Sequence, residues 1–347
     1  MKRYIVTLLL ASVALFSCEK YETIKKVDTD FKNNYEFFWN LVDEQYCYLD
    51  YKNIDWEGVK QEMMPRVEAA KNEFEFFKVL SESLDYLRDG HIGIVAPFTT
   101  YGCGTFLYDE NGVPYPSNFE SSALVRQYLV GNDLYNPMGS DIRYGVIEDG
   151  DRTYAYIMYD QFYADWTNYE YKYLAPVVAS ADGIILDMRE NPGGDGDLGL
   201  SIAGNFFDTT EVVGYYAIKA SSAHNDFTAY KPLHVYPSKV YNWSTKPTML
   251  LTNRGTYSTA NLFTCALQYA PNVTIIGGRS GGGGGLPLTH YLPNGWMVAF
   301  PSNVLFDRDM EHIENGIDPD ILIDADPYFA EGRDIIIERA IEELSKK

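Results

Sequence analysis

Apolar side chains recur at three- and four-residue spacing through the first part of the chain, which is the period of a helix. In the segment NEFEFFKVLSESLDYLRDG this spacing places Phe76 and Leu84 on one face, and Gly90 ends the helix. Asp55 is the expected N-cap of the helix before it. The pattern therefore predicts a small helical bundle over residues 31–98, which closes with the strand HIGIVAPF.

From Tyr144 onward, short apolar runs alternate with amphipathic stretches, as in α/β folds. The apolar runs RTYAYIMYDQF, ADGIILDMRE, KPTMLLTN and VTIIGG predict strands. The stretches YKYLAPVVAS, DLGLSIAGNFF and STANLFTCALQYA predict helices between them. Residues 211–246 predict a β-rich excursion. Residues 99–145, rich in Gly, Pro, Asn and Tyr, predict a loop-rich connection to an α/β domain over 146–347.

The N-terminus has the layout of an export signal. Lys2 and Arg3 precede the apolar run YIVTLLLASVALF, which is shorter than the ~20 residues of a membrane-spanning helix. LFSC then ends at Cys18, and the arrangement resembles a bacterial lipoprotein signal. It implies cleavage of residues 1–17, a lipidated Cys18 and a tether over 18–30. An ordinary secretory signal with a chance cysteine is the alternative.

A lipid on Cys18 would place the folded part in the cell envelope, on the periplasmic face or the cell surface of a Gram-negative bacterium. The formal net charge of the 347-residue chain is -21, and cleavage would remove two further basic residues. Such an acidic body repels phosphate backbones, so we do not expect nucleic-acid binding. The remaining Cys47, Cys103 and Cys265 allow at most one disulfide, and their spacing predicts no metal site.

A serine stands where a buried strand turns into a helix, in PTMLLTNRGTYSTANLFTCAL. The helix begins near Ser258, so the hydroxyl lies at the positive end of the helix, where an anion is stabilised. This placement suits a nucleophile. From spacing alone, however, a serine that only caps the helix is the more common case.

A second strand-to-helix turn, in GIILDMRENPGGDGDLG, exposes backbone N–H groups that can hold an oxyanion. The stretch from Gly194 to Gly199 also matches the dinucleotide pattern G-x-G-x-x-G. Asp195 and Asp197 would repel a pyrophosphate, however, and no EF-hand spacing surrounds these aspartates. We therefore expect neither a nucleotide cofactor nor a metal ion here.

Two further motifs are weak alone. LRDGHIGI places His91 between a helix and a strand, where a lone histidine is usually structural. EHIENGIDPDILID places Glu314 before the turn Asn315-Gly316, which reads by itself as a turn before a strand.

In this order the four motifs resemble the tail-specific, or C-terminal processing, serine peptidases, in the branch that contains the tricorn core protease. The resemblance extends from about residue 33 to the C-terminus. It implies an α/β fold with a ClpP/crotonase-like catalytic domain preceded by the helical bundle. The matching segments are Asp89-Gly90-His91, Asp187 to Gly194, Thr256-Tyr257-Ser258 and Glu314 to Asp320.

What the resemblance implies is a serine endopeptidase that acts on peptides or proteins without a metal or an organic cofactor. Ser258 would be the nucleophile, His91 the general base and Glu314 a supporting residue. The oxyanion hole would come from backbone N–H groups of Gly193, Gly194 and Thr259.

One departure from the family concerns a loop. Members that use a lysine base carry Gly-Lys-Gly after the nucleophile's helix, whereas the loop here reads GGRSGGGGGLP, with glycine near Gly283 in the lysine's place. A histidine base at His91 is consistent with that loss. The alternatives are a catalytically inactive lipoprotein on the same fold that binds a peptide or a lipid, and a structural surface lipoprotein.

Overall fold

The computed structural model describes residues 28–104, 122–137, 140–163, 168–323 and 331–347, so Cys18 and the predicted signal lie outside it. In these ranges no helix is both long enough and apolar enough to cross a membrane. The helices are α1 (Phe31–Gln45), α2 (Trp56–Ala69), α3 (Glu73–Asp85), α4 (Ser122–Arg126), α5 (Asn168–Ser180), α6 (Gly196–Ala203), α7 (Thr259–Leu267) and α8 (Ile335–Ser345). The strands are β1 (Gly93–Ala96), β2 (Thr99–Gly102), β3 (Ile142–Asp149), β4 (Arg152–Tyr159), β5 (Gly183–Asp187), β6 (Glu211–Ile218), β7 (Lys231–Val235), β8 (Thr248–Thr252), β9 (Val273–Gly277), β10 (Pro287–Tyr291), β11 (Met297–Pro301), β12 (Asn303–Asp307) and β13 (Ile321–Leu322).

A six-stranded sheet in the order β13-β9-β8-β5-β4-β3 forms the centre of the α/β part. Its neighbouring strands are parallel except for β3 and β4. All five residues of β5 and all five of β8 are buried. Strands covered on both faces read as continuous apolar runs, which explains why these two show no alternation in the sequence.

Helices cover both faces of this sheet. Leu186 and Leu250 share one core with residues of α5, α6 and α7. Ile185 and Met249, which point the other way, share a second core with α8 and α4. The carboxyl ends of β5 and β8 meet at one edge of the sheet, and the two turns singled out in the sequence follow directly.

The N-terminal helices α1 to α3 pack on a smaller antiparallel sheet in the order β10-β11-β1-β2. The side chain of Asp55 accepts a hydrogen bond from the Gly58 amide at 2.9 Å, which confirms the predicted N-cap. Phe38 and Phe76 lie in one core with Trp296 and Phe300. The helical bundle therefore shares its core with strands from far along the chain, and packing does not stop at residue 98.

The β-rich excursion predicted over residues 211–246 contains β6 and β7, which form a three-stranded sheet with β12. Cys47, Cys103 and Cys265 are all buried, and none of them forms a disulfide within the described part of the chain.

Candidate active site

Ser258 lies at the turn between β8 and α7, and its backbone is held in an uncommon conformation with φ +56° and ψ −119°. Its amide donates to the carbonyl of Gly282 at 2.8 Å, and the preceding amide, of Tyr257, donates to Asn191 at 2.9 Å. Although Ser258 occupies the N-cap position, its side chain caps nothing. The helix-capping interpretation is therefore wrong. The hydroxyl Oγ lies instead 2.9 Å from Nε2 of His91.

His91 reaches the serine from the turn between α3 and β1. Its amide donates to Oδ1 of Asp89 at 2.9 Å, and its ring packs against the ring of Tyr257 with centroids 4.9 Å apart. Burial lowers the pKa of His91 below its ordinary value; Asp89 opposes this effect and Lys52 adds to it. The imidazole is therefore neutral at pH 7 and able to accept a proton.

The second ring nitrogen of His91, Nδ1, is buried and forms no hydrogen bond with any described residue. In a Ser-His-Asp arrangement this nitrogen donates to a carboxylate, which fixes the tautomer. Here Asp89 bonds the backbone amide of His91 instead. The orientation of the ring thus depends on the turn that carries it and on Tyr257.

Asp89 is fully buried, and besides the His91 amide its carboxylate has three side-chain donors. The hydroxyl of Tyr46 lies 2.9 Å from Oδ2, that of Tyr257 lies 3.4 Å from Oδ1, and the ammonium of Lys52 lies 3.3 Å from Oδ2. Burial raises the pKa of the Asp89 carboxyl, yet Lys52 and His91 together outweigh burial and bring the pKa below its ordinary value. Asp89 is therefore ionised.

Glu314 forms no hydrogen bond with His91 in the described part of the chain. Its Oε1 is 2.6 Å from the ammonium of Lys52, and its Oε2 accepts from the amide of Gly284 at 2.7 Å. Burial and the charge of Asp89 raise the pKa of Glu314, with Lys52 opposing them. The structure thus brings Glu314 to the site through Lys52 and the glycine loop.

The turn after β5 lies directly against the nucleophile. A Cβ on Gly193, which has φ +98°, would lie 2.7 Å from the Thr259 amide nitrogen and 2.8 Å from Cβ of Ser258. The Gly193 amide donates to Oδ1 of Asn191 at 2.9 Å. No described residue accepts a hydrogen bond from the amides of Gly194 and Thr259. These two amides are thus the donors left for a ligand beside Ser258.

The glycine loop of residues 281–285 fits between the nucleophile's turn and Glu314. Gly282 and Gly283 both have positive φ, at +84° and +78°. A Cβ on Gly282 would lie 1.8 Å from the Glu314 carbonyl oxygen, and one on Gly283 would lie 2.5 Å from the ring of Tyr257. Only glycine fits at these two positions, so neither can carry a lysine side chain.

Comparison with known proteins identifies the family of the chain. The sequence profile of peptidase family S41 matches residues 153–323, and that of the tricorn protease C1 domain matches residues 27–85. The crystal structure of a candidate peptidase from Parabacteroides merdae ATCC 43184 is 32% identical in sequence. The match covers 91% of this chain and 97% of that one, with a TM-score of 0.82. The chain belongs to peptidase family S41.

Two other relatives are less similar in sequence. The carboxy-terminal processing protease CtpA of Bacillus subtilis (strain 168) is 28% identical over 149 residues, which are 43% of this chain. The match spans only 30% of that relative's length. The tricorn protease structure is 15% identical with a TM-score of 0.55, and the match covers 91% of this chain and 36% of that one. That likeness shows the fold alone.

The predicted resemblance to the C-terminal processing peptidases and the predicted α/β fold are confirmed. Sequence reasoning gave no role to two residues of the site. Asp89 stands in the quoted Asp-Gly-His turn without being assigned a function. Lys52 follows α1 in a tyrosine-rich turn, and nothing in the neighbouring sequence distinguishes it from a surface lysine. Its partners Asp89 and Glu314 are distant in sequence, so only the fold brings the three together.

Proposed function

We propose that this S41 member is a serine endopeptidase that hydrolyses peptide bonds through an acyl-enzyme. The observation that carries the proposal is the 2.9 Å contact between Ser258 Oγ and His91 Nε2. Nucleophile and base are within hydrogen-bond reach, and the base is neutral at pH 7.

In the first step, Ser258 Oγ attacks the peptide carbonyl carbon while His91 Nε2 takes the hydroxyl proton. The tetrahedral intermediate carries a negative charge on the former carbonyl oxygen. Collapse breaks the C–N bond, and His91 returns the proton to the leaving amine. A water molecule then attacks the ester carbonyl carbon while His91 takes a proton from it. Collapse of the second intermediate breaks the bond to Ser258 Oγ, His91 returns the proton to that oxygen, and the carboxylic product leaves.

The amides of Gly194 and Thr259 are the proposed oxyanion donors, because neither has an acceptor among the described residues. Gly193 contributes mainly by its lack of a side chain, since its own amide is bonded to Asn191. Loss of one oxyanion donor costs about 10²–10³ in kcat in comparable hydrolases. Glu314 supports the base from a distance, through Lys52.

Labelling by a fluorophosphonate tests this function directly. The form spanning residues 19–347 should gain one adduct, on the tryptic peptide that contains Ser258. Digestion of a peptide library by the same form, with products read by mass spectrometry, should yield internal cleavages. A chain that is folded but is neither labelled nor active on any peptide would favour the binding-protein alternative.

We also propose that Cys18 is lipidated and anchors the enzyme in the cell envelope. The support is the sequence alone: a charged start, a short apolar run and LFSC ending at Cys18. Wild type and Cys18→Ser should be expressed in a Gram-negative host and fractionated. The wild type should be found with the membranes and the variant in the soluble fraction. A variant that stays with the membranes would show that the anchor is elsewhere.

A further inference from the structure

A lysine that plays no part in bond making lies buried behind the proposed Ser-His pair. Lys52 follows α1 in a turn, and its amide donates to the Tyr48 carbonyl at 2.9 Å. Only 6% of its side chain is exposed. Burying an ammonium costs free energy unless opposite charges and hydrogen-bond acceptors compensate it. The burial of Lys52 therefore requires an explanation.

The ammonium of Lys52 has four acceptors, which belong to two separate segments. On the side of His91 it lies 3.3 Å from Asp89 Oδ2, with the carbonyls of Leu87 and Arg88 at 3.3 Å and 3.2 Å. On the side of the glycine loop it lies 2.6 Å from Glu314 Oε1. One cation thus joins the turn that carries the base to the residue that braces the loop beside the nucleophile.

We propose that Lys52 is a positioning residue of this S41 site, whose ammonium bridges Asp89 and Glu314 and holds the His91 turn against Ser258. The inference rests on the proposed peptidase function. Lys52 itself exchanges no proton during the reaction. The proton moves between Ser258 Oγ and His91 Nε2, and Lys52 acts through Asp89.

Charge balance makes this role more than structural support. Asp89 and Glu314 share one ammonium. Burial and the charge of Asp89 raise the pKa of Glu314 to about 7, so Asp89 carries the fixed negative charge, and four other ionisable side chains around the pair in the described chain are neutral. Burial raises the pKa of Tyr46, Tyr48 and Tyr257, and that of the Cys47 thiol, so all four stay protonated. Without Lys52, the charge of Asp89 would act on His91 uncompensated and would favour its protonated form.

Lys52 is not itself a candidate base. Burial lowers the pKa of its ammonium, but Asp89 and Glu314 together raise it above its ordinary value. A lysine base has to lose its proton near neutral pH. The ammonium lies between Asp89 and Glu314, at 3.3 Å and 2.6 Å, and this pairing suits a fixed charge.

The test is the pH profile of Lys52→Met, with Lys52→Arg as the conservative variant. Neutralising Lys52 should move the acid limb of kcat/KM to higher pH by about one unit, the size expected for one neighbouring charge. Lys52→Arg should keep the limb near that of the wild type. Lys78→Met is the matched control, because Lys78 is a largely exposed lysine on α3. It should leave the limb in place.

A purely structural lysine would lower the rate without moving the limb, and a folded Lys52→Met with an unshifted limb would overturn the proposal. If Lys52→Met does not fold, Lys52→Met/Glu314→Gln removes one uncompensated carboxylate and is compared with Glu314→Gln alone. The double variant should titrate at the higher pH. Equal acid limbs in the double variant and in Glu314→Gln would refute the proposal. If the double variant does not fold either, a folded Lys52→Ala with an unshifted acid limb would also refute it.

A second readout needs no turnover. The His91 imidazole can be titrated by NMR in the intact chain, with its signal assigned by its loss in His91→Gln. Lys52→Met should raise the titration midpoint relative to wild type and Lys78→Met. If the chain proved not to be a peptidase, this shift would still test the contact, so failure of the function and failure of the Lys52 proposal are distinguishable.

Discussion

At Ser258 the backbone takes a conformation with φ +56° that residues other than glycine seldom adopt. Such a conformation costs on the order of 1–3 kcal/mol and persists only where neighbours fix it. Two hydrogen bonds do so here, from the Ser258 amide to Gly282 and from the Tyr257 amide to Asn191. The strained backbone thus lowers stability, and it places the Ser258 hydroxyl beside His91 instead of at the helix cap.

Replacing Ser258 by alanine should abolish fluorophosphonate labelling and lower kcat by on the order of 10⁶, the loss seen when a serine protease loses its nucleophile. Labelling followed by mass spectrometry and turnover of one peptide substrate are the two measurements. Ser280 is the nearby serine to watch. It is buried, and its hydroxyl donates to Asn261 at 2.6 Å. An adduct that persists in Ser258→Ala would place the reactive serine elsewhere.

His91→Gln should remove the acid limb of kcat/KM as well as most of the rate. Burial lowers the pKa of His91 in the folded chain, so the wild-type rate should rise with pH through a midpoint below about 6.5 and then level off. His290→Gln is the control, because His290 stacks on Phe300 in the small sheet. A His91→Gln enzyme with the wild-type limb would show that another group is the base.

At the scale of elements, the sequence predicted those helices, strands and caps that depend on residues close together in the chain. The strand β8, the helix α7 and the N-cap Asp55 all follow from apolar runs and capping chemistry within a few residues. The strands β10, β11 and β12 were not predicted, because β10 is mostly exposed and their pairing with β1 and β6 depends on distant segments. The contact of Ser258 with His91 could be predicted only from the family resemblance, because 167 residues separate the two in the sequence.

The glycine loop offers an element-scale prediction with a matched control. Gly282→Ala and Gly295→Ala both introduce a side chain at positive φ, +84° and +85°. Each should lose roughly 1 kcal/mol from backbone strain. Only at Gly282 does the new Cβ also collide with the Glu314 carbonyl, whereas Gly295 faces open space.

Gly282→Ala should therefore melt at a lower temperature than Gly295→Ala and should also lose fluorophosphonate labelling by tenfold or more. Differential scanning calorimetry and labelling rates give the two readouts. If both variants label at the wild-type rate, the close fit of the loop does not matter to the nucleophile.

Across the whole molecule, the β6–β7 hairpin is fastened to the N-terminal helices through His224. Its Nδ1 lies 3.0 Å from Asp50 and its Nε2 lies 3.0 Å from Asp43. Both nitrogens need a proton to donate, so the contact requires the imidazolium. Burial lowers the pKa of His224, but the hydrogen bonds to Asp50 and Asp43 together raise it above its ordinary value.

Because the folded pKa is raised, this contact stabilises the fold fully below the unfolded pKa of about 6.5, and the gain is lost as pH rises through the folded pKa. His224→Gln should lower Tm by about 1–2 °C at pH 5.5 and by less at pH 9, as expected for ion pairs that solvent still reaches. His234→Gln, on the same hairpin, is the control. An equal effect of His224→Gln at both pH values would contradict the assignment of the imidazolium.

The proposed base and its lysine are encoded early in the chain, whereas the nucleophile and Glu314 come much later. A nascent chain that ends after the helical bundle contains His91 but does not yet contain Ser258. The proposed site can assemble only after Glu314 has been synthesised and β11 has paired with β1. Until then a partly synthesised chain would have no assembled Ser-His pair with which to cleave its neighbours.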